Sequence, residues 1–252
     1  QSHYIEKLLY KFNMFDANPM SLPIQPQLQL KKTEGSNVWT PYNELIGSLL
    51  FLCNTRPDIA FAVNYFSQFT NNVTQEAWVY AKHILRYLKG TINDVITYKR
   101  TGNLDLNVYA DADWANDIND RKSLSGLVIQ LGNNSVVWKT QKQHRVTRST
   151  PDAELHSLAL AVEEGIFMKK LLKDFGVDDC KINVYEDNQP CLDALRNPNN
   201  NLKLKHSDVD LKYVAETIKE NEITLYKIDS ANQLGDMFTK GLPTQQFQRF
   251  CK

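Results

Sequence analysis

From Tyr4 to Phe12 the apolar positions recur as Tyr4, Ile5, Leu8, Leu9 and Phe12, one stripe along a helix. Residues 17–43 break that spacing. They hold Pro19, Pro23, Pro26 and Pro41, four of the nine prolines, in a polar setting that predicts a long extended connection. Helical spacing returns with Leu45, Ile46, Leu49 and Leu50 and stops at Arg56-Pro57-Asp58. There Pro57 suits a first helical position and Asp58 a first turn, so a second helix starts, carrying Ile59, Ala62, Val63 and Phe66. Thr74 caps a third helix to about Lys89, with Trp78, Ala81, Ile84, Leu85 and Leu88 on its apolar face and Gly90 as its stop. Residues 1–100 therefore read as a small helical bundle.

Near residue 95 the period changes from helical to two. Leu104, Leu106, Val108 and Ala110 alternate with Asp105, Asn107, Tyr109 and Asp111, the pattern of a strand with one buried face. Further strands are predicted at 126–131 and 135–139, joined by a turn at Gly132-Asn133-Asn134. Thr150-Pro151-Asp152 then opens a long helix to Gly176, with Thr150 as its cap. A short strand at 181–186, helices at 188–197 and 207–220, a strand at 222–228 and a last helix from Ser230 complete the chain. This order predicts an α/β domain over residues 101–252: a mixed five-stranded sheet with flanking helices, preceded by the helical subdomain.

Composition narrows the partners and the compartment. The formal net charge is zero, so any nucleic acid must be met by a local basic patch. Cys53, Cys180, Cys191 and Cys251 include no Cys-x-x-Cys pair, which disfavours structural zinc and a disulfide framework. They read as reduced, mostly buried thiols of a cytosolic or nuclear protein. No apolar run approaches the roughly 20 residues of a membrane span. The chain starts at Gln1 rather than Met and reads as a piece of something longer.

The acids then take on interest. Asp111 falls at the end of the first strand, Glu154 early in the long helix, Asp187 at the end of the fourth strand and Asp236 in the first half of the last helix. Acids at element ends are ordinary on a protein surface, and spacing alone does not separate that reading from a metal site. A calcium loop beginning at Asp111 is excluded, because its sixth and twelfth positions would be Asn116 and Lys122 instead of Gly and Glu.

Five stretches carry a resemblance: VYADADWANDINDRKSLSG (108–126), RSTPDAELHSLALAVEEGIFMKKLL (148–172), VYEDNQPCLDAL (184–195), LKHSDVDLKY (204–213) and ANQLGDMFTKGLP (231–243). In this order they resemble the RNase H domain of copia-type retrotransposon Pol polyproteins. Upstream, SLLFLCNTRPDIAFAVNYFSQF and HILRYLKGT are similar to the C-terminal, thumb-like region of the reverse transcriptase of the same family. The resemblance implies an RNase H-like fold and hydrolysis of the RNA strand of RNA–DNA hybrids during reverse transcription. It implies that Asp111, Glu154, Asp187 and Asp236 hold two Mg²⁺ ions, with Mn²⁺ as a substitute. Asp111 would bridge both ions, Glu154 and Asp187 would complete one shell, and Asp236 the other. Integrases share the fold in the order Asp-Asp-Glu; here the Glu comes second. Pro151, Asp152, Asp210 and Lys212 depart from the family pattern, and His206 reads as structural.

The resemblance also implies partners: the hybrid, the polymerase region of the parent polyprotein, and no membrane. It implies a cytoplasmic setting in a virus-like particle, and the nucleus. The paired-aspartate polymerase motif is absent, so no DNA synthesis is expected of this segment alone. Lys139, Lys142, His144, Arg145 and Arg148 cluster between the third strand and the long helix, as a phosphate-binding patch or a solvated loop. Lys82, Arg86 and Lys89 read as a solvated helix face. The competing functional reading is a degenerate or domesticated copy that binds nucleic acid or a host protein without catalysis.

Overall fold

A computed structural model describes residues 1–33, 38–100, 102–197 and 207–252. His206 and the start of the LKHSDVDLKY stretch lie outside the described residues. The chain forms two compact units: Gln1–Ile96 with Ile118–Asp120 and Lys240–Lys252, and Thr97–Asp117 with Arg121–Thr239.

The first unit is helical. Helices α1 (Ser2–Lys11), α2 (Tyr42–Leu52), α3 (Ala60–Ser67) and α4 (Gln75–Gly90) bury most of the apolar stripes from which they are legible, although Leu50 of α2 is exposed. The α4 start follows the expected chemistry, since the Thr74 hydroxyl accepts from the Ala77 N–H at 3.1 Å. A 3-10 turn at Pro57–Ile59 leads into α3. Beside it the buried Arg56 donates from Nη2 to Asp58 Oδ2 at 2.7 Å, and the Tyr87 hydroxyl donates to the same oxygen at 2.6 Å. Burial, above all, pushes the Tyr87 hydroxyl pKa up, and the Asp58 charge adds to it. Arg86 and Lys89 donate to the carbonyls of Asn18 and Ala17 in the connection between α1 and α2. The chain's final helix, α8 (Thr244–Phe250), belongs to this unit and sets Phe247 edge-on to Tyr87 at 5.9 Å.

The second unit is the mixed five-stranded sheet with flanking helices that the hydrophobic pattern predicts. Its strands are β1 (Leu106–Asp113), β2 (Leu124–Leu131), β3 (Asn134–Lys142), β4 (Ile182–Glu186) and β5 (Thr224–Lys227), in the order β3-β2-β1-β4-β5. The β1–β2 and β2–β3 pairs are antiparallel, while β4 runs parallel to β1 and β5 parallel to β4. Helices α5 (Thr150–Asp174), α6 (Gln189–Arg196) and α7 (Asp208–Lys219) complete the unit. Leu106, Val108, Ala110, Ile182 and Val184 meet Leu155, Leu158 and Val162 of α5 in the core. A Cβ on Gly165 would stand 3.3 Å from both Val108 and Ile182, so glycine lets α5 close on the sheet. On the other strand face Tyr109, Tyr185 and Tyr226 stack in one row across β1, β4 and β5. Among the described residues, no helix is long and apolar enough to cross a membrane.

Two expectations are corrected. The cap of α5 is Ser149, whose hydroxyl accepts from the Asp152 N–H; Thr150 is the first helical residue. The single last helix from Ser230 is instead two 3-10 turns, Ser230–Asn232 and Leu234–Phe238, followed by α8. Gly235, Gly241 and Pro243 interrupt the periodicity, and the Leu234–Phe238 turn is held by contacts with β1 described next.

Candidate metal centre

The parallel ladder between β1 and β4 ends at Tyr109 and Tyr185. Beyond it, the Ala112 N–H has no strand partner on that side and donates to Glu154 Oε2 at 2.7 Å. One helical turn later the Ser157 hydroxyl donates to the Asp111 carbonyl at 2.7 Å. These two bonds fasten the start of α5 to the end of β1 and set Glu154 beside Asp111. Asp187 follows the last residue of β4. The next residue, Asn188, caps α6 by accepting from the Cys191 N–H at 2.9 Å, so Asp187 is held in a tight strand-to-helix turn.

As a result Asp111, Glu154 and Asp187 each bring a carboxylate oxygen within 4.8 Å of the other two. Asp111 and Glu154 are buried and Asp187 is half-buried. Asp236 is not in that cluster, though it is buried and its turn presses on Asp111. A Cβ on Gly235 would lie 2.9 Å from both Cβ and N of Asp111. The buried Gln233 ties the turn down, with its Oε1 accepting from the Gly235 N–H at 3.1 Å and its Nε2 donating to the Tyr185 carbonyl at 3.3 Å. Thr239, fully buried, donates its hydroxyl to Asp111 Oδ2.

A further buried acid, absent from the sequence-based set, joins the group. Glu186 is fully buried; its Oε1 accepts from the Asn188 N–H at 2.8 Å, and its Oε2 is buried without a hydrogen-bond partner. Burial, first of all, pushes the Glu186 carboxyl up to about 8; the Asn188 N–H opposes this, and the charges of Asp187 and Asp111 reinforce it. Burial likewise pushes Glu154 well above the usual carboxylate range, with Glu186, Asp111 and Asp187 adding to it. A signal for Glu186 was present: Ile182 and Val184 point inward, and period two puts residue 186 on the same face. Thr239, Gln233 and Ser157 carried no such local signal.

Crowded, partly desolvated carboxylates need a counter-charge, and the donors are oxygen alone. Both features fit a hard divalent cation, for which Asp111, Glu154 and Asp187 would be the first ligands. The remaining acids of the 108–126 stretch lie elsewhere: Asp113 accepts from Asn116, Asp117 pairs with Lys142, and Asp120 is exposed.

The basic cluster is largely neutralised. Lys139 pairs with Glu164 at 3.0 Å and Lys142 with Asp117. Arg145 Nη2 reaches Asp152 and Asp210, each at 3.2 Å, and the Ser207 hydroxyl at 2.9 Å. His156 Nδ1 lies 3.0 Å from the same Asp210 oxygen. Asp152 and Asp210, two of the departures from the family pattern, are thus tied to one arginine. The Arg148 side chain is exposed, and its backbone N–H donates to Asp152 at 2.9 Å.

No family model matches the chain. Among curated proteins it is similar over its whole length to the retrovirus-related Pol polyprotein from transposon RE1 of Arabidopsis thaliana, at 35% identity, covering 17% of that protein. It is similar in the same way to the Pol polyprotein from transposon TNT 1-94 of Nicotiana tabacum, at 34% identity, covering 20% of it. The chain therefore spans about a fifth of the length of these relatives. Among solved structures, the RNase H1 LC11 isolated from compost is similar over 59% of this chain and 99% of its own, with a TM-score of 0.43 and 13% identity.

A buried carboxyl with a raised pKa holds its proton more tightly in the folded state. Its contribution to stability is complete below the unfolded value of 4.5 and is lost as pH rises through the folded value, about 8 for Glu186. In EDTA the unfolding midpoint is therefore expected to fall between about pH 5 and pH 8, and Glu186→Gln to flatten that fall. Saturating Mg²⁺ or Mn²⁺ is expected to raise the midpoint most at the alkaline end. Urea titrations across this interval check it; a metal-free midpoint that climbs with pH contradicts the assignment.

Proposed function

The chain belongs to the copia-type retrotransposon Pol polyproteins, and from that premise we propose that its second unit is a ribonuclease H cutting the RNA strand of RNA–DNA hybrids. The observation that carries the reading is the gathering of Asp111, Glu154 and Asp187 from β1, α5 and the end of β4. Asp236 supports it, because its turn is seated on the Asp111 backbone.

In this reading Asp111, Glu154 and Asp187 hold one divalent ion, Mg²⁺ in the cell with Mn²⁺ as substitute, and Asp236 with Asp111 serves a second. When bound, the ions supply the charge that activates a water and stabilises the leaving oxygen. The protein's own part is to fix the acids in place, through the Ala112 N–H on Glu154, the Thr239 hydroxyl on Asp111 and the α6 cap beside Asp187. Water attacks the scissile phosphate in line, leaving a 5′-phosphate and a 3′-hydroxyl. A contact to the RNA 2′-hydroxyl separates RNA from DNA. In the same reading residues 1–100 are the thumb-like end of the reverse transcriptase, and the polymerase region of the parent polyprotein is the partner. Reverse transcription of this kind places the protein in a cytoplasmic virus-like particle and in the nucleus.

Of the four basic residues in the α5 approach, Arg148 stands next to the Ser149 cap of α5 with its side chain exposed, and we assign it to the hybrid backbone. A second reading, a domesticated copy that binds nucleic acid or a host protein without cutting, draws on the position of Asp236 outside the three-acid cluster.

Cleavage of an end-labelled hybrid in Mg²⁺ tests the proposal. Wild-type protein is expected to cut the RNA strand, and Asp111→Asn to abolish cutting while still binding the hybrid. Binding without cutting by the wild-type chain would favour the domesticated copy. For the hybrid contact, Arg148→Ala is expected to reduce the slope of log affinity against log salt by about 0.9, the value of one phosphate contact. Arg145→Ala is expected to leave the slope unchanged and to lower the unfolding midpoint.

A further inference from the structure

We propose that Thr239 is the positioning residue for Asp111: its buried hydroxyl orients the carboxylate, and Gly126 opens the seat from which it does so. The inference rests on the ribonuclease reading for its purpose, and on geometry for its content.

Thr239 is fully buried, and its Oγ1 contacts both Asp111 Oδ2 and, at 3.3 Å, the carbonyl of Asp236. A hydroxyl has one proton to give. The contact to the carboxylate is the closer one and is charge-assisted, so it takes the proton. That bond stops the Asp111 carboxylate from turning about its Cβ–Cγ bond. Without it, nearby acids would push the group toward other rotamers, because Glu154 and Asp187 both have oxygens within 4.8 Å.

The seat is built from the sheet. In the antiparallel β1–β2 ladder Gly126 stands directly opposite Asp111. A Cβ there would fall 2.6 Å from Thr239 Cγ2, 2.8 Å from Phe238 Cβ and 2.9 Å from Phe238 C. Two of these atoms belong to a buried Phe238, whose carbonyl accepts from the Thr140 hydroxyl on β3 at 2.9 Å. The strand therefore accepts this segment only where it carries no side chain. Gly235, at the other end of the segment, makes the same allowance against the Asp111 backbone. Residues 235–239 thus lie against the Asp111 backbone and Cβ at one end and bond one of its carboxylate oxygens at the other. The same turn brings Asp236, so one short segment both orients one acid and supplies another.

The test uses the full chain with Thr239→Val, which keeps the shape and removes the hydroxyl, and Thr239→Ser, which keeps the hydroxyl and removes the methyl. Mg²⁺ and Mn²⁺ binding is read by titration calorimetry in the absence of nucleic acid, and kcat and KM are read on a hybrid. Thr239→Val is expected to weaken metal binding about 10–100-fold, the usual cost of losing a partner behind a metal ligand. It is expected to lower kcat and leave KM for the hybrid unchanged, and Ser is expected to recover most of both losses. Wild-type affinity in Thr239→Val overturns the proposal. So does a loss in Thr239→Ser as large as in Thr239→Val, which would assign the effect to packing. If Thr239→Val does not fold, Thr239→Ser decides alone: near-wild-type binding is required. A wild-type chain that binds metal but cuts no hybrid refutes the ribonuclease reading and leaves the Thr239 result to stand or fall on calorimetry.

Discussion

Mutual repulsion among acids that must share one buried place is the constraint on which the second unit depends. Two like charges about 4 Å apart repel by roughly 4 kcal/mol at an effective dielectric of 20. Burial raises the cost further, and the upward push on Glu154 and Glu186 is its visible consequence. Such a cluster does not form by itself. Every bond around it works against dispersal: Ala112 N–H to Glu154, Ser157 to the Asp111 carbonyl, Asn188 N–H to Glu186, and Thr239 to the Asp111 carboxylate.

The fold supplies these bonds by where its elements stop. Because the β1–β4 ladder ends at Tyr109, the following backbone of β1 is available to α5. With β4 ending at Glu186, Asp187 falls between the strand and Asn188, the cap of α6. Glycines at 126 and 235 let the Leu234–Phe238 turn and Thr239 lie against Asp111 from outside the sheet. The tyrosine row across β1, β4 and β5 stacks on the paired register, with Tyr109 and Tyr185 two residues before Asp111 and Asp187.

Much of this was legible in the sequence, and the exceptions share a cause. Period two placed β1 and β4, and helical spacing placed α1 to α5, because those signals are local. The acids at 111, 154 and 187 were visible as residues at element ends, and the structure gathers them. The predicted last helix differs from the two 3-10 turns and α8 because Gly235 answers to Asp111, a residue far back in the chain. The basic cluster misled for the same reason. Lys139, Lys142 and Arg145 look like a patch in sequence, but Glu164, Asp117, Asp152 and Asp210 reach them from other elements. Glu186 is legible only through the alternation of β4, which points it inward, because the local motif singles out its neighbour Asp187.

The central claim is that the buried carboxylates exist to hold a divalent cation. Anomalous diffraction from crystals of the full chain soaked in Mn²⁺ tests it most directly. A peak ligated by Asp111, Glu154 and Asp187 is the result the account predicts. Ordered carboxylates with no anomalous peak between them, at Mn²⁺ concentrations that saturate Mg²⁺-dependent nucleases, would contradict it.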